Sequence, residues 1–464
     1  MMTAVATAQD TTYHNTYGGY NQDHGRSVDQ TYDGGFIITG ATSSIGFGST
    51  DVYLIKTDSV GNFLWSKTFI SPYVEWGNSV QETSDSGFVI AGYTNKPGKG
   101  GYDVYMIRTD SLGDTLWTRT YGGNDWDVGY SVQQTNDGGY IISGETFSFG
   151  SGNSDVYLIR TDANGDTLWT KTFGGAQGES GRCVKSTFDG GFVIVGYTES
   201  YGAGDKDIYL IKTDQNGDTL WTRTYGGDSL DMGYCVNENS DSTYVIAGST
   251  MSYGAGNLDA WLIKVDTLGD TLWTNVWGEP GKDEWYWVVE DFNGKYAVTG
   301  YSYTILGAGN EEVMFYRVNK LGQLSQLLTF GGFEFERGYC VKDLVQNGYI
   351  IVGTTNSFGA GMNDVFLINT DPTGNTGDPP VTVYYDTTIT GIDPSPLPYN
   401  QIIIYPNPTN GVFTVQGASS EIQVYDLIGR LVLHTNKPQV DMSGFPAGLY
   451  IWRMGNARGK VVIE

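Results

Sequence analysis

Tryptophan recurs along this chain at a constant interval, and this regularity constrains the fold more than any other feature of the sequence. The interval is 52 residues, and it separates Trp65, Trp117, Trp169, Trp221 and Trp273. The same register extends backward to Tyr13 and, with one inserted residue, forward to Gln326. Repetition at this period indicates seven copies of one supersecondary unit, each of which buries its apolar face against its neighbours.

Each repeat has the pattern of four short strands. Residues 115–162 show it best, as the successive strings TLWTRTYGG, GYSVQQTNDG, GYIISGETFSFGSGNS and DVYLIRTD. Apolar and polar residues alternate, β-branched and aromatic residues dominate, and no segment has helical periodicity. Four strands in a unit of this length are typical of a propeller blade. We therefore expect an all-β chain in which residues 10–372 form a seven-bladed β-propeller.

Turn residues predict the order of the strands within a blade. An Asp-Gly-Gly turn at 137–139 and an Asp-x-x-Gly turn at 162–165 mark two hairpins, because glycine supplies the positive φ that such turns need. The inner strand is then GYSVQQT, and the outer strand carries the tryptophan.

The last repeat lacks an outer strand, whereas residues 11–17 form one with no blade before them. We expect residues 11–17 to pair with residues 364–371 and close the ring, which removes an exposed sheet edge.

One position on the inner strands is small in six of the seven repeats. It is occupied by Ser27, Ser79, Ser131, Cys183, Cys235, Trp287 and Cys340. Blades converge toward the axis of a propeller, so little room is left there. We interpret the three cysteines as small buried residues and not as metal ligands or disulfide partners.

Two acidic positions recur in all seven repeats, on the same face of the predicted disc. The first precedes the inner strand and is occupied by Asp23, Glu75, Asp127, Glu179, Asp231, Asp283 and Glu336. The second begins the third strand and is occupied by Asp51, Asp103, Asp155, Asp207, Asp259, Glu312 and Asp364. One interpretation is a ring of Ca²⁺ sites, because this ion prefers carboxylate oxygens. The other is structural: each carboxylate accepts hydrogen bonds from loop amides or hydroxyl groups and joins one blade to the next. Repetition in every blade favours the structural interpretation, and no other cofactor is implied.

No catalytic constellation is found, and no catalytic residue is assigned. The chain has only three histidines, His14, His24 and His434, and contains neither a GxSxG nor an HExxH motif. The Asp-x-x-Gly-x-x-x-Trp hairpin resembles the Asp box of sialidases and the tryptophan-docking motif of quinoprotein propellers, and in both families it is structural. Carboxylates are abundant, so a carbohydrate-active enzyme that uses two of them stays open as an alternative.

Charge excludes one class of partner. The chain has 26 Lys and Arg against 52 Asp and Glu, a net charge of −26. A nucleic-acid partner requires a basic stripe, and none is present. No apolar run approaches the length of a membrane span.

Aromatic residues that depart from the repeat are the candidate ligand contacts. They are Trp76, Trp126, Trp285, Trp287, Phe333 and Phe335. Aromatic rings beside carboxylates suit carbohydrate, because a sugar offers C–H faces and hydroxyl groups together. The alternative is that the sixth repeat has diverged and that its tryptophans only fill space.

The ends of the chain differ from the repeats. Residues 1–9 have the small-x-small pattern of a signal-peptidase site at positions 6–8, so we interpret them as the remnant of a signal peptide. Residues 373–400 are rich in proline and polar residues and are predicted to be a linker. Residues 401–464 contain short alternating strands, which predict a small Ig-like β-sandwich.

The C-terminal segment carries motifs of a known family. They comprise Tyr405, Pro406, Asn407, Pro408, Gly411, Tyr425, Asp426, Gly429, Gly448, Tyr450 and Lys460. In this order they resemble the C-terminal (type A) sorting domain of type IX secretion cargo in Bacteroidota, and the repeats are similar to propellers that often precede it. The resemblance implies interaction with the type IX machinery, passage through the periplasm, and secretion or attachment at the outer-membrane surface.

The sequence as a whole predicts an exported, monomeric, non-catalytic binding or adhesion module with a glycan or protein ligand. A carbohydrate-active enzyme and a structural component of the cell surface are the alternatives.

Overall fold

The protein is described by a computed structural model, in two compact units, residues 1–389 and 390–464. The structure describes residues 12–46, 50–96, 100–278, 280–303, 311–344, 348–376, 382–385, 403–405, 412–416, 421–425, 430–446, 448–454 and 457–463. The predicted signal-peptide remnant, most of the predicted linker and the motif positions 406–411, 426 and 429 lie outside these ranges.

Every regular element in the described ranges is a β-strand, and the first unit contains seven sheets, numbered here in chain order. The inner strands are Asp23–Gln30, Glu75–Glu82, Asp127–Gln134, Glu179–Ser186, Asp231–Glu238, Asp283–Glu290 and Glu336–Asp343. The second strands are Phe36–Thr42, Phe88–Thr94, Tyr140–Thr146, Phe192–Thr198, Tyr244–Thr250, Tyr296–Ser302 and Tyr349–Thr355. The third strands are Asp51–Thr57, Asp103–Thr109, Asp155–Thr161, Asp207–Thr213, Asp259–Val265, Glu312–Val318 and Asp364–Asn369. The outer strands of sheets 1 to 6 are Phe63–Phe69, Thr115–Tyr121, Thr167–Phe173, Thr219–Tyr225, Thr271–Trp277 and Leu324–Phe330.

The strands of sheets 1 to 6 lie in chain order from inner to outer, as the turn residues predict. Sheet 7 takes its outer strand, Tyr13–Gly18, from the start of the chain. This strand pairs antiparallel with Asp364–Asn369, with Tyr13 opposite Asn369 and Tyr17 opposite Val365, so the predicted pairing is confirmed. Thr382–Tyr385, inside the predicted linker, adds a fifth strand parallel to Tyr13–Gly18.

The outer-strand tryptophans join neighbouring sheets. A Cβ on Gly165 would lie 2.7 Å from the ring of Trp117, so the Asp-x-x-Gly turn of one sheet receives the indole of the preceding sheet. Gly165 has a φ of 78°, which glycine adopts without strain. The contact recurs between Trp65 and Gly113, Trp169 and Gly217, Trp221 and Gly269, and Trp273 and Gly322.

Sheet 7 contacts sheet 1 through the same arrangement. Tyr13 takes the place of tryptophan and lies against Gly61 of sheet 1. The Tyr17 hydroxyl donates a hydrogen bond to the Gly61 carbonyl at 2.5 Å, and the Asn15 amide donates to the same oxygen at 2.8 Å. Apolar residues of the two sheets, including Val28 and Val352, share one buried cluster.

The small inner position links neighbouring inner strands. The Ser27 hydroxyl accepts the backbone N–H of Val80 at 3.2 Å, and Ser79 and Ser131 act in the same way on the next sheet. The cysteines instead donate their thiols to the next sheet, as Cys235 does to the Val288 carbonyl at 3.7 Å. All three cysteines are buried and free. The small residues at this position therefore form contacts between neighbouring sheets.

The second unit contains two sheets around one core. The first has the strands Ile403–Tyr405, Val412–Gln416 and Gln439–Asp441. The second has the strands Ile422–Tyr425, Leu431–Thr435, Gly448–Met454 and Ala457–Ile463. Phe413 and Val440 of the first sheet meet Val424 and Trp452 of the second in the buried core.

Candidate functional site

The two acidic columns converge in pairs between neighbouring sheets. A Cβ on Gly122 would lie 2.1 Å from Oδ1 of Asp103 and 2.7 Å from Oδ2 of Asp127. Asp103 begins the third strand of sheet 2, whereas Asp127 begins the inner strand of sheet 3. Converging pairs of the same kind are Asp364 with Asp23, Asp155 with Glu179, and Asp207 with Asp231. We call the edge of the sheets that carries these pairs the acidic edge.

Hydrogen bonds hold these carboxylates in the loops. Oδ2 of Asp127 accepts the backbone N–H of Gly123 at 2.8 Å and the Ser148 hydroxyl at 2.7 Å. The Asp127 backbone N–H donates to the Tyr102 carbonyl of the preceding sheet at 2.7 Å. Oδ2 of Asp207 accepts from Ala203 N at 2.9 Å. These contacts match the structural interpretation, because they fix the loops that connect one sheet to the next.

Burial raises the pKa values of several carboxyl groups on the acidic edge. Asp364 is 1% exposed, and burial together with the charge of Asp23 raises its pKa to about 7. Burial, with a contribution from Glu75, raises the pKa of Asp51 to about 6. The pKa of Asp103 is raised in the same way, by burial first and then by its partner. In these three carboxyl groups burial favours the neutral form, and the nearby acidic partner adds to the effect.

Several carboxylates of the acidic columns keep one oxygen free of the loops. One oxygen of Asp23, Asp127, Asp231 and Asp259 is buried without a hydrogen-bond partner. The described residues contain no group of three or more His, Cys, Asp or Glu side chains placed to hold a metal ion. A cation bound to one of these carboxylates would need further ligands, such as backbone carbonyls or water.

The structure separates the two tryptophans of the sixth repeat. Trp285 is 1% exposed and packs against Trp277 and Tyr316, each with a ring-centroid distance of 4.8 Å. It belongs to the core, so its prediction as a ligand contact is wrong: the space that glycine leaves in the other sheets is filled here by an indole. Trp287 is half-buried and contacts the ammonium groups of Lys185 and Lys342, at 5.0 and 5.9 Å from its ring centroid.

Trp76 and Trp126 belong to one aromatic strip on the acidic edge. The strip runs from Trp76 through Tyr93, Tyr102 and Trp126 to Phe147, with successive ring-centroid distances of 6.5, 5.1, 5.3 and 6.5 Å. Trp126 and Phe147 are 55% and 44% exposed. The strip is therefore exposed at its Trp126 and Phe147 end and half-buried along the rest of its length.

Phe333 and Phe335 are also exposed on the acidic edge. They lie in the loop before the inner strand of sheet 7 and are 48% and 44% exposed. Their exposure agrees with the sequence, and their role as ligand contacts stays a prediction.

The sequence did not predict a further column of residues, which lies on the inner strands. Each inner strand has a β-bulge at the residue that precedes the small position and follows a glycine. In sheet 6 the bulge lies between Trp285 and Trp287. The bulge residues are Arg26, Asn78, Tyr130, Arg182, Tyr234, Tyr286 and Tyr339. We call them the bulge ring. The signal in the sequence was the variable residue just before the small position, because a bulge re-aims one side chain out of the sheet.

Contacts run along the bulge ring from sheet to sheet. Tyr286 contacts Tyr234 and Tyr339, at ring-centroid distances of 4.8 and 5.2 Å. The Arg26 guanidinium lies over Tyr339 at 4.2 Å and over Trp76, the start of the aromatic strip, at 5.1 Å. The aromatic strip therefore continues through Arg26 to Tyr339, Tyr286 and Tyr234 of the bulge ring.

Comparison with known proteins identifies the second unit. Residues 403–464 match the family model of the secretion system C-terminal sorting domain, which confirms the resemblance seen in the sequence. No helix in the described part of the chain has the length and hydropathy needed to cross a membrane.

Comparisons of the whole chain find weaker similarities. The regulatory protein FlaEY of Caulobacter vibrioides is 26% identical over 347 residues; the match covers 68% of this chain but 34% of that protein. BamB from Moraxella catarrhalis is 12% identical, with a TM-score of 0.38 over 74% of this chain and 96% of that one. The Pan2 WD40 domain of Neurospora crassa is 10% identical, with a TM-score of 0.44, and the match covers 76% of this chain and 90% of that one.

Proposed function

We propose that this chain is an exported glycan-binding protein. Its first unit is a seven-bladed propeller closed by the N-terminal strand, and its second is an Ig-like sorting domain that delivers the propeller through the type IX machinery, by way of the periplasm. The match of residues 403–464 to a secretion sorting domain supports export to the cell surface or the medium.

The aromatic strip is the observation that carries the ligand class. Its rings are spaced at 5.1 to 6.5 Å and end in two exposed side chains. A sugar chain can place its C–H faces on such rings while its hydroxyl groups meet nearby polar groups. Tyr93 offers a hydroxyl donor at every physiological pH, because burial raises its pKa to about 12.

Burial of the acidic columns weighs against the enzyme alternative. Asp23 and Asp127 have no exposed surface, and Asp51 is 2% exposed. A glycosidase must bring two carboxylates to the scissile bond, whereas these side chains are engaged by their own loops. A protein ligand is the second candidate, because the exposed Phe333 and Phe335 suit an apolar contact.

A glycan array probed with the full chain tests the proposal. We expect defined binding that the Trp126→Ala variant weakens by about tenfold, a loss of about 1.4 kcal/mol, because the most exposed ring of the strip is removed. The matched control is Phe188→Ala, a 74% exposed aromatic at the turn that joins the first two strands of sheet 4. Equal loss in both variants, or no glycan bound by the full chain, would refute the proposal.

Removal of residues 401–464 tests export. The sheets of the first unit form their core without the second unit, so we expect a folded propeller that stays inside the cell envelope. Appearance of the truncated protein at the cell surface would refute the role of the sorting domain.

A further inference from the structure

We infer that the bound glycan carries an acidic group, and that Arg26 and Arg182 of the bulge ring bind it. This inference rests on the proposed glycan-binding function and names the class of sugar.

Both arginines are held by aromatic faces. The Arg26 guanidinium carbon is 4.2 Å from the ring centroid of Tyr339 and 5.1 Å from that of Trp76. The Arg182 carbon is 4.1 Å from the ring of Tyr130. A guanidinium stacked on a ring keeps its N–H groups at its edge, and these are the groups that bind an oxyanion in a bidentate manner.

Neither arginine has an ion-pair partner among the described residues. Nε of each is buried and donates no hydrogen bond. The other six arginines of the first unit all form ion pairs, and they are Arg108, Arg119, Arg160, Arg223, Arg317 and Arg337. A chain with twice as many acidic as basic residues therefore leaves two guanidinium groups of the bulge ring without an ion-pair partner, and one of them, Arg26, adjoins the aromatic strip at Trp76.

Nearby carboxylates are committed to other groups. Glu284 accepts the hydroxyls of Tyr234 at 2.8 Å and of Tyr301 at 2.7 Å. Glu145 accepts the Tyr130 hydroxyl at 3.4 Å and interacts with Arg182 only beyond ion-pair distance. His24, which stacks on Trp76, stays neutral above acidic pH, because burial and Arg26 lower its pKa to about 4.

The overall negative charge of the chain does not prevent this binding. At physiological ionic strength, charges more than about 8 Å apart in solvent are largely screened. Each arginine acts at contact distance from a partly buried position, where screening is weakest. Local pairing therefore outweighs the distant field.

The ligand chemistry is an oxyanion on a saccharide, either a carboxylate or a sulfate. Both match the fork of N–H donors that a guanidinium presents. The Tyr286 hydroxyl is suited to a neighbouring sugar hydroxyl group, because burial raises the pKa of Tyr286 far above neutrality.

Calorimetric titration of the full chain with three probes tests the inference. The probes are an oligogalacturonate, its methyl ester and a sulfated galactan oligosaccharide. We expect binding of at least one acidic probe at least tenfold tighter than that of the ester. We expect Arg182→Gln and Arg26→Gln to remove this preference, whereas Arg119→Gln keeps it. Arg119 is the matched control, because it also stacks on a tryptophan, Trp117, at 5.3 Å.

Each outcome separates the two proposals. If the acidic probes bind no more tightly than the ester, or if the preference survives in both glutamine variants, the inference is overturned while glycan binding stands. If no oligosaccharide binds at all, both proposals fail. Should a glutamine variant not fold, Arg182→Lys keeps the charge but loses the fork, and an unchanged preference in that variant also counts against the inference.

Discussion

Replacement of Asp364 by asparagine should make the first unit more stable at alkaline pH. Asp364 and Asp23 converge between sheet 7 and sheet 1. Oδ2 of Asp364 accepts the backbone N–H of Ala360 at 2.9 Å and of Gly361 at 3.2 Å. The amide oxygen of Asp364→Asn can accept the same two hydrogen bonds. The variant therefore changes the ability to ionise and little else.

The pKa of Asp364 sets the size and the sign of the effect. Burial raises it from 3.8 to about 7, and each pKa unit corresponds to about 1.4 kcal/mol. The folded state holds the proton more tightly than the unfolded chain does, so its contribution to stability is complete below pH 3.8 and is lost as the pH rises through about 7. At pH 8 the variant avoids a loss of up to about 4 kcal/mol, and at pH 4 the two proteins should be nearly equal.

Urea unfolding followed by tryptophan fluorescence, at pH 4, 6 and 8, measures this difference. The control is Asp205→Asn, which removes the same charge from an exposed position on the same edge and should shift the midpoint little at any pH. Other carboxyl groups with raised pKa values, such as those of Asp51 and Asp103, will still lower the stability of both proteins as the pH rises. The reasoning is refuted if Asp364→Asn loses as much stability as wild type between pH 4 and pH 8, or if Asp205→Asn gains as much.

Two further predictions concern the contacts between sheets. Trp169→Ala should lower the free energy of unfolding by about 2 to 3 kcal/mol, because it removes the contact of the indole with Gly217. Leu168 is 58% exposed, so the control Leu168→Ala should change the free energy of unfolding by less than about 0.5 kcal/mol. Similar losses in both variants would contradict the docking role of the indole. Millimolar Ca²⁺ at pH 8 should leave the urea midpoint of wild type unchanged if the acidic pairs are structural. A Ca²⁺-dependent stabilisation that disappears in Asp155→Asn would instead favour the metal interpretation.

The repeat pattern was sufficient to predict most of the first unit. The strand order, the positive-φ turns and the pairing of Tyr13–Gly18 with Asp364–Asn369 all follow from residues with strong local preferences. The strand Thr382–Tyr385 could not be predicted, because its pairing depends on an edge that only the assembled sheet provides.

The candidate site was predictable only where the side chains depart from the repeat and lie at the surface. Trp126 and Phe335 are exposed as expected. Trp285 was misassigned, because composition does not distinguish an indole that fills a core from one that faces a ligand. Arg182 escaped notice, because its column varies between repeats and its position becomes visible only through the bulge that turns it out of the strand.

The pairing of the first and last strands of the repeat region has a consequence for folding kinetics. Tyr13 and Asn369 are about 350 residues apart in the chain, and contacts of such long range form slowly, because a large loop must close first. Sheet 7 cannot gain its outer strand until the ribosome has made nearly all of the first unit. Until then Tyr13–Gly18 and the edge of Asp364–Asn369 both lack a partner, so the incomplete chain exposes two strands that are prone to pair with other molecules. A chaperone that protects these two strands would therefore act late in synthesis and not early.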